Sequence, residues 1–226
     1  ERSDSWFLDE HYYYHNICGK RTCIDSVKDL IIGDADLDLM MRLAKGGSTH
    51  AKYRRMIIVY MDITAPLYWW KEYDTYKVGT VADSCSTMHK IHAKEFTLDD
   101  FSYEQLDNDE VVWIDSDIGR YNALDILGVT IEVLNSCRKR YVKTKDKEYW
   151  WQMIQLLPTS YNQKRTVMLN YEVLTNIYHA RRNHKLDEWH DFCKWIETLP
   201  YSELITGKDD KDGKNHTVRK DIKTHE

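Results

Sequence analysis

Proline and glycine are scarce in this chain, at 3 and 9 of 226 residues. That scarcity excludes a Pro- or Gly-rich internal linker and suits a helix-rich domain. Cysteine is present but unpatterned. Cys18, Cys23, Cys85, Cys137 and Cys193 are odd in number and scattered, which is not a disulfide framework. There is no CxxC pair and no HExxH, so no metal site is expected. A reducing, cytoplasmic compartment is the simpler expectation. An excess of basic charge is missing too. The net charge of −5 argues against a duplex nucleic-acid surface, while leaving room for a small basic pocket that holds a phosphate. Apolar runs are short, the stretch from Met56 to Met61 being among the longest, so no membrane span is expected. The segment Glu1 to Glu10 is acidic and mixed and has no signal-peptide pattern. A GxGxxG fingerprint, a P-loop and a GxSxG elbow are all absent.

What remains is an ordinary globular composition, 42% apolar and 31% charged, with 8 Trp and 16 Tyr. The aromatic excess fits core and subunit contacts better than a platform for stacking bases. The apolar periodicity predicts helices over residues 36–45, 121–141, 147–157, 171–181 and 185–196. A β-branched run from Arg55 to Ile63 reads as a buried strand, and Arg165 to Leu169 as a short one. Thr64-Ala65-Pro66 reads as a helix start with Thr64 as N-cap, and Thr97 to Asp100 as a second capping signal. Helices dominate and strands are few and distant in sequence, so the expected class is α+β with a small, mostly antiparallel sheet. Residues 1–206 are expected to form one domain. Residues 207–226, which have little apolar surface to bury, are expected to form a flexible polar tail.

Several isolated signals favour plain readings. His11, His15, His179, His184 and His190 are scattered, and each reads as a surface or hydrogen-bonded histidine. Asp107, Asp109 and Glu110 read as a solvated loop. Arg138-Lys139-Arg140 could hold a phosphate, but at a helix C-terminus such a run more often complements the dipole.

The segment from Ala65 to Met88, APLYWWKEYDTYKVGTVADSCSTM, is more specific. It resembles the signature region of the flavin-dependent thymidylate synthases, the ThyX family. There an R-Q pair is followed by R-H-R-x-x-S-x-N-E-x-S-x-R-Y. Without gaps, Lys71-Glu72 falls on R-Q and Thr75-Tyr76-Lys77 on R-H-R. Thr80 takes the first Ser, Ala82-Asp83 the N-E pair, Cys85 the second Ser and Thr87-Met88 the R-Y pair. Upstream, Thr49-His50 resembles the family's G-H. Downstream, Leu157-Pro158, Asn170, Leu174, Asn176 and Arg181 resemble its L-P, N-x-R-x-L-x-N/H-F-x-x-L-R pattern. The likeness spans about Gly46 to Ile196. It departs from the pattern at four family arginines, which here are Thr75, Thr87, Ile154 and Glu172. Guanidinium groups grip phosphate bidentately, so these exchanges remove phosphate contacts.

The resemblance implies a ThyX-like fold and a homotetramer with sites shared between subunits. It implies FAD as cofactor, methylenetetrahydrofolate and NADPH as co-substrates, and one-carbon transfer to C5 of dUMP or a related pyrimidine nucleotide. His50, Tyr76, Lys77, Asn170 and Asn176 would hold the flavin, Tyr76 by stacking. Glu72, Asp83, Cys85 and Arg181 would meet the nucleotide. Arg181 would stabilise charge developing on the pyrimidine. A Cys85 thiolate would be able to add to C6, although a small buried cysteine is the favoured reading. The alternative is a non-catalytic protein of the same fold that binds or assembles after losing its phosphate and flavin contacts.

Overall fold

In the computed structural model, residues 7–17, 20–84, 86–106, 114–116 and 119–207 are described. Cys85, the acidic cluster Asp107, Asp109 and Glu110, and the expected tail beyond Gly207 lie outside them. The chain opens with a hairpin of β1 (Phe7–Ile17) and β2 (Lys20–Ile31), which pair antiparallel from Phe7↔Ile31 to Ile17↔Lys20. Helix α1 (Asp34–Lys45) follows, then a 3-10 turn (Lys52–Met56), β3 (Ile58–Pro66), α2 (Leu67–Tyr73), β4 (Val81–Ser84) and α3 (Thr87–Lys90). A two-stranded ribbon, β5 (Ile114–Ser116) and β6 (Gly119–Tyr121), leads to the long α4 (Ala123–Thr144) and to α5 (Lys147–Leu156). The described chain closes with β7 (Asn162–Asn170), α6 (Tyr171–Arg181), α7 (Asp187–Glu197) and α8 (Glu203–Thr206).

The sheet that organises the molecule has the order β3-β7-β4, with both neighbours antiparallel to β7. Helix-rich with a small antiparallel sheet, the fold is the expected α+β type. Along β3 the side chains alternate: Ile63 and Ala65 are buried and Val59 and Met61 half-buried, while Ile58, Tyr60, Asp62 and Thr64 are exposed. One face therefore packs inward, as a period of two requires. On that face a core forms from Trp69, Trp70 and Tyr73 of α2, Leu169 of β7, Leu174 and Ile177 of α6, and Trp189 and Ile196 of α7.

A second apolar cluster lies under the α4–α5 helical hairpin. Leu127, Leu134 and Cys137 of α4 are spaced to share one face and meet Met153 of α5, Ile91, Phe96 and Phe101. Asn122 caps α4: its Oδ1 accepts from the Asp125 N–H (2.7 Å) while Asp125 accepts from the Asn122 N–H (2.9 Å). The two clusters are joined where Leu67 N–H donates to the Tyr161 carbonyl (3.0 Å) and Ser102 N–H to the Ser160 carbonyl (2.8 Å).

The structure corrects several boundaries. Residues 52–56 coil into a 3-10 turn, so the strand begins at Ile58 and not at Arg55. Thr64 does not cap a helix. It stays in β3, opposite Lys164, and Pro66 takes the N-cap position of α2. The reason is that β7 starts at Asn162, so pairing continues past the local helix-start signal. The hairpin β1–β2, the edge strand β4 and the buried turn α8 were not expected. All four residues of β4 are exposed, so they carry no apolar alternation to read.

Candidate functional site

Helix α2 buries Trp69, Trp70 and Tyr73 and leaves Glu72 on its rim, one third exposed. Three donors converge on one Glu72 oxygen, Oε2. Arg181 Nη1 lies at 2.9 Å, the indole Nε1 of Trp189 at 3.0 Å and His184 Nε2 at 3.3 Å. Arg181 occupies the last turn of α6, where a cation suits the helix dipole. Its Nε donates to the Tyr76 hydroxyl at 2.9 Å, across 105 positions of sequence. The guanidinium carbon lies 5.1 Å from the Trp189 ring centroid and 5.7 Å from that of Tyr76. Arg181 is thus held by an ion pair, a hydrogen bond and two aromatic rings, with 19% of its side chain exposed. Two guanidinium N–H groups are committed, and the others meet no acceptor among the described residues.

The loop that carries Tyr76 is pinned at its base. Thr75 donates its hydroxyl to the Glu72 carbonyl (2.7 Å) and Thr80 to that of Tyr76 (2.6 Å). Gly79 has φ +83° and runs so close to Asn170 that an added Cβ would meet Asn170 Nδ2 at 2.8 Å. Only glycine gives both the backbone angle and the clearance. Asn170 Nδ2 reaches the Gly79 carbonyl at 3.5 Å, and its Oδ1 accepts from the Val173 N–H at 3.0 Å as the N-cap of α6. The loop tip, Lys77 and Val78, faces solvent.

Of the residues singled out from the sequence, Glu72, Tyr76 and Arg181 form one network. Asn170 and Lys77 adjoin it through the loop. Asn170 is 8% exposed and both its polar atoms already serve the loop and the helix cap. Asn176 is exposed on α6, Asp83 is exposed on β4, and His50 is exposed against Gly46 in the turn after α1. No hydrogen bond or ion pair joins these three to the network. Glu172, at a family arginine position, keeps Oε2 buried without a hydrogen-bond partner among the described residues.

Sequence reasoning missed Trp189, while His184, read as a surface or hydrogen-bonded histidine, is hydrogen-bonded. Neither belongs to a recognisable spacing. They reach Glu72 only because α7 folds back beside α2. His184 also lines an open hollow of about 750 Å³, together with Arg182, Asn183, His190 and Lys194. Cys193 lies at its floor. Burial, together with the Glu197 carboxylate, pushes that thiol up to about 11, so it is not a ready nucleophile. Among the described residues no group of three or more His, Cys, Asp or Glu side chains is placed to hold a metal ion, and no helix is long and apolar enough to cross a membrane.

No protein-family model matches the sequence, and no curated protein sequence matches it. Solved structures do match the fold. The flavin-dependent thymidylate synthase ThyX from Helicobacter pylori, complexed with FAD and dUMP, is similar with a TM-score of 0.54 and 16% identity. The match covers 77% of this chain and 84% of that one. A second structure of ThyX from Helicobacter pylori with FAD and dUMP has a TM-score of 0.53 at 16% identity, covering 77% of this chain and 83% of that one. At that identity the likeness is one of fold.

Proposed function

We propose that this chain is a ThyX-type flavoprotein that transfers a one-carbon unit to C5 of dUMP or a related pyrimidine nucleotide. The observation that carries the proposal is the Tyr76–Arg181–Glu72 network. It joins the signature-like loop to the end of α6, the two segments that resemble the family's nucleotide-handling motifs. The fold likeness to proteins complexed with FAD and dUMP supports it. Two cations suit a phosphate-bearing ligand: Lys77 is exposed on the loop tip, and Arg182 lines the hollow beside His184.

In this reading the exposed Lys77 would meet the flavin phosphates and the exposed amide of Asn176 a ring edge. When bound the flavin would supply hydride for the transfer, with methylenetetrahydrofolate and NADPH as co-substrates. The chain's own part is orientation. Glu72 and Tyr76 fix the plane of the Arg181 guanidinium, and its uncommitted N–H groups then stabilise negative charge on a pyrimidine carbonyl. Pre-positioning matters because a guanidinium already held in place needs no reorganisation during the reaction.

Two apolar side chains exposed on the outer, otherwise mixed face of the sheet, Tyr60 at 73% and Val81 at 59%, support a homotetramer. A monomer by light scattering at micromolar concentration would remove that element. The enzyme reading is tested by titrating FAD and dUMP into wild type and Arg181→Ala. The expected result is a yellow, flavin-binding protein whose variant loses about ten- to a hundredfold in dUMP affinity and little in FAD affinity.

A second reading, a non-catalytic binding or assembly protein of this fold, is favoured by two observations. Asn170 is consumed as a cap, and Glu72 already neutralises Arg181. Failure of wild type to bind either ligand at millimolar levels would decide for it.

A further inference from the structure

A second cleft lies away from the Glu72 network, between α3 and the α4–α5 corner. Its volume is about 500 Å³, within the range of small-molecule sites. His89, His92, Tyr141, Lys145, Lys147 and Trp150 line it, with Met88 at one edge. Not one of these is a carboxylate. Lys145 and Lys147 make no ion pair with any described residue, whereas Lys139, Lys164, Lys194 and Arg165 elsewhere are each paired with an acid. The nearest acid in sequence, Asp146, is engaged elsewhere, since its Oδ1 caps α5 by accepting from the Glu148 N–H at 3.0 Å.

The walls are aromatic and fixed. The Trp150 indole N–H donates to the Met88 carbonyl at 3.0 Å, which ties α5 to α3 across the cleft. The Trp150 ring also packs edge-on against Trp151, 4.8 Å away. His92 packs edge-on against Tyr141 at 5.0 Å, and its Nδ1 is buried with no hydrogen-bond partner among the described residues. Lys145 sets its ammonium 5.8 Å from the Tyr141 ring centroid.

Lys145 is one of two non-glycine residues with a positive φ among the described residues, Tyr201 being the other. It terminates α4 in the left-handed region, at φ 60° and ψ 14°. Glycine adopts that conformation freely and closes most helices of this type, while a lysine there is strained. The ammonium suits the C-terminal dipole of α4, while backbone strain of this kind gathers at functional sites.

We propose that this cleft binds a nucleoside monophosphate, with the base against Trp150 and the phosphate between Lys145, Lys147 and the two histidines. A bare anion would leave the aromatic walls unused, and an uncharged ring would leave the cations unmatched. Stacking on indole tolerates any base, so the chemistry fixes the class and not the base. The cleft shares no residue with the Glu72 network, only Met88 of its lining belongs to the signature-like segment, and Arg181→Ala separates the two sites in the test.

The test is calorimetric titration of the full chain with AMP, adenosine and inorganic phosphate, in wild type, Lys145→Gly and Arg181→Ala. Lys145→Gly removes the cation while suiting the backbone, so it will fold. AMP should bind wild type at least tenfold more tightly than adenosine or phosphate. Binding should weaken at least tenfold in Lys145→Gly and with added salt, and stay unchanged in Arg181→Ala. The proposal is overturned if AMP fails to bind wild type at millimolar concentration, if phosphate alone binds as well as AMP, or if Lys145→Gly binds like wild type. Loss of AMP binding in Arg181→Ala alone would assign the nucleotide to the other site and equally overturn it.

Discussion

At the Glu72 network, one carboxylate oxygen gathers an arginine, an indole and an imidazole. At the Trp150 cleft, two lysines and two histidines face open space with no acid among them. Both regions combine aromatic rings with cations, so composition alone would not separate them. The difference lies in whether the charge has been satisfied from within. Around Glu72 the fold has used its polar groups to lock α2, α6 and α7 together, and Arg181 keeps only part of its donor capacity. Around Trp150 the donors are held but unmatched. An unmade polar contact is costly only where water is excluded, which at the cleft applies to the buried Nδ1 of His92, while the exposed Lys145 and Lys147 stay solvated until a ligand meets them.

The largest effect that would sharpen this contrast is expected from Trp189→Ala. Trp189 is fully buried, packs tilted against Trp69 and edge-on against Phe192, and donates to Glu72. Its loss should cost about 3–5 kcal/mol by denaturant unfolding. A change near zero would mean that the network is a surface ornament of the core.

Next in size is Glu72→Gln. It leaves Arg181 and His184 without their anion, and should destabilise by about 1–3 kcal/mol. By contrast, Lys147→Ala in the cleft should stay within about 0.5 kcal/mol of wild type. Equal effects at the two positions would erase the distinction drawn between them.

A smaller effect, confined to acid, is expected on the helical-hairpin side. Burial would raise the Asp100 carboxyl. The Lys94 ammonium and the Thr97 hydrogen bonds outweigh that and hold it below its ordinary value. Such a group stabilises the fold above its unfolded-state pKa of about 3.9 and loses the contribution as pH falls through the lower folded value. Asp100→Asn should therefore flatten the decline of melting temperature in acid relative to wild type. An unchanged slope between about pH 5 and pH 2 would show that the pair contributes nothing.

The smallest effect is the stability change of Lys145→Gly. Relief of the left-handed strain is partly offset by the greater freedom of glycine in the unfolded chain, so the gain should be under about 1 kcal/mol. A loss of stability would mean that the lysine is there for packing.

The helices were legible because each has a local cause. The periodic apolar residues of α4 and α6 and the capping box at Thr97 announce themselves within a few residues of chain. Strand β4 was not legible, because its four residues are exposed and it is a strand only by pairing with β7. Thr64 misled for a related reason. Its helix-start chemistry is real, but nine paired positions between β3 and β7 outweigh one cap.

The candidate site divides in the same way. Glu72, Tyr76 and Arg181 were singled out by a family-like spacing, and they do meet. Asn170 was singled out as a ligand contact, and the structure adds that its amide also holds Gly79 and caps α6 at Val173. Trp189 carried no signal at all, since its role depends on where α7 lies against α2.

By itself, the sequence determined the class of fold, the positions of most helices, and the absence of the phosphate-gripping arginines that the resemblance calls for. Those properties are local, set by side-chain type and spacing along a few turns of chain. Only the tertiary structure decided which charges are spent and which are left over. That depends on residues more than 100 positions apart, Tyr76 and Arg181 among them, arriving at hydrogen-bond distance. A charge is matched or unmatched according to what lies within a few ångströms of it, and the linear order of residues does not record that distance.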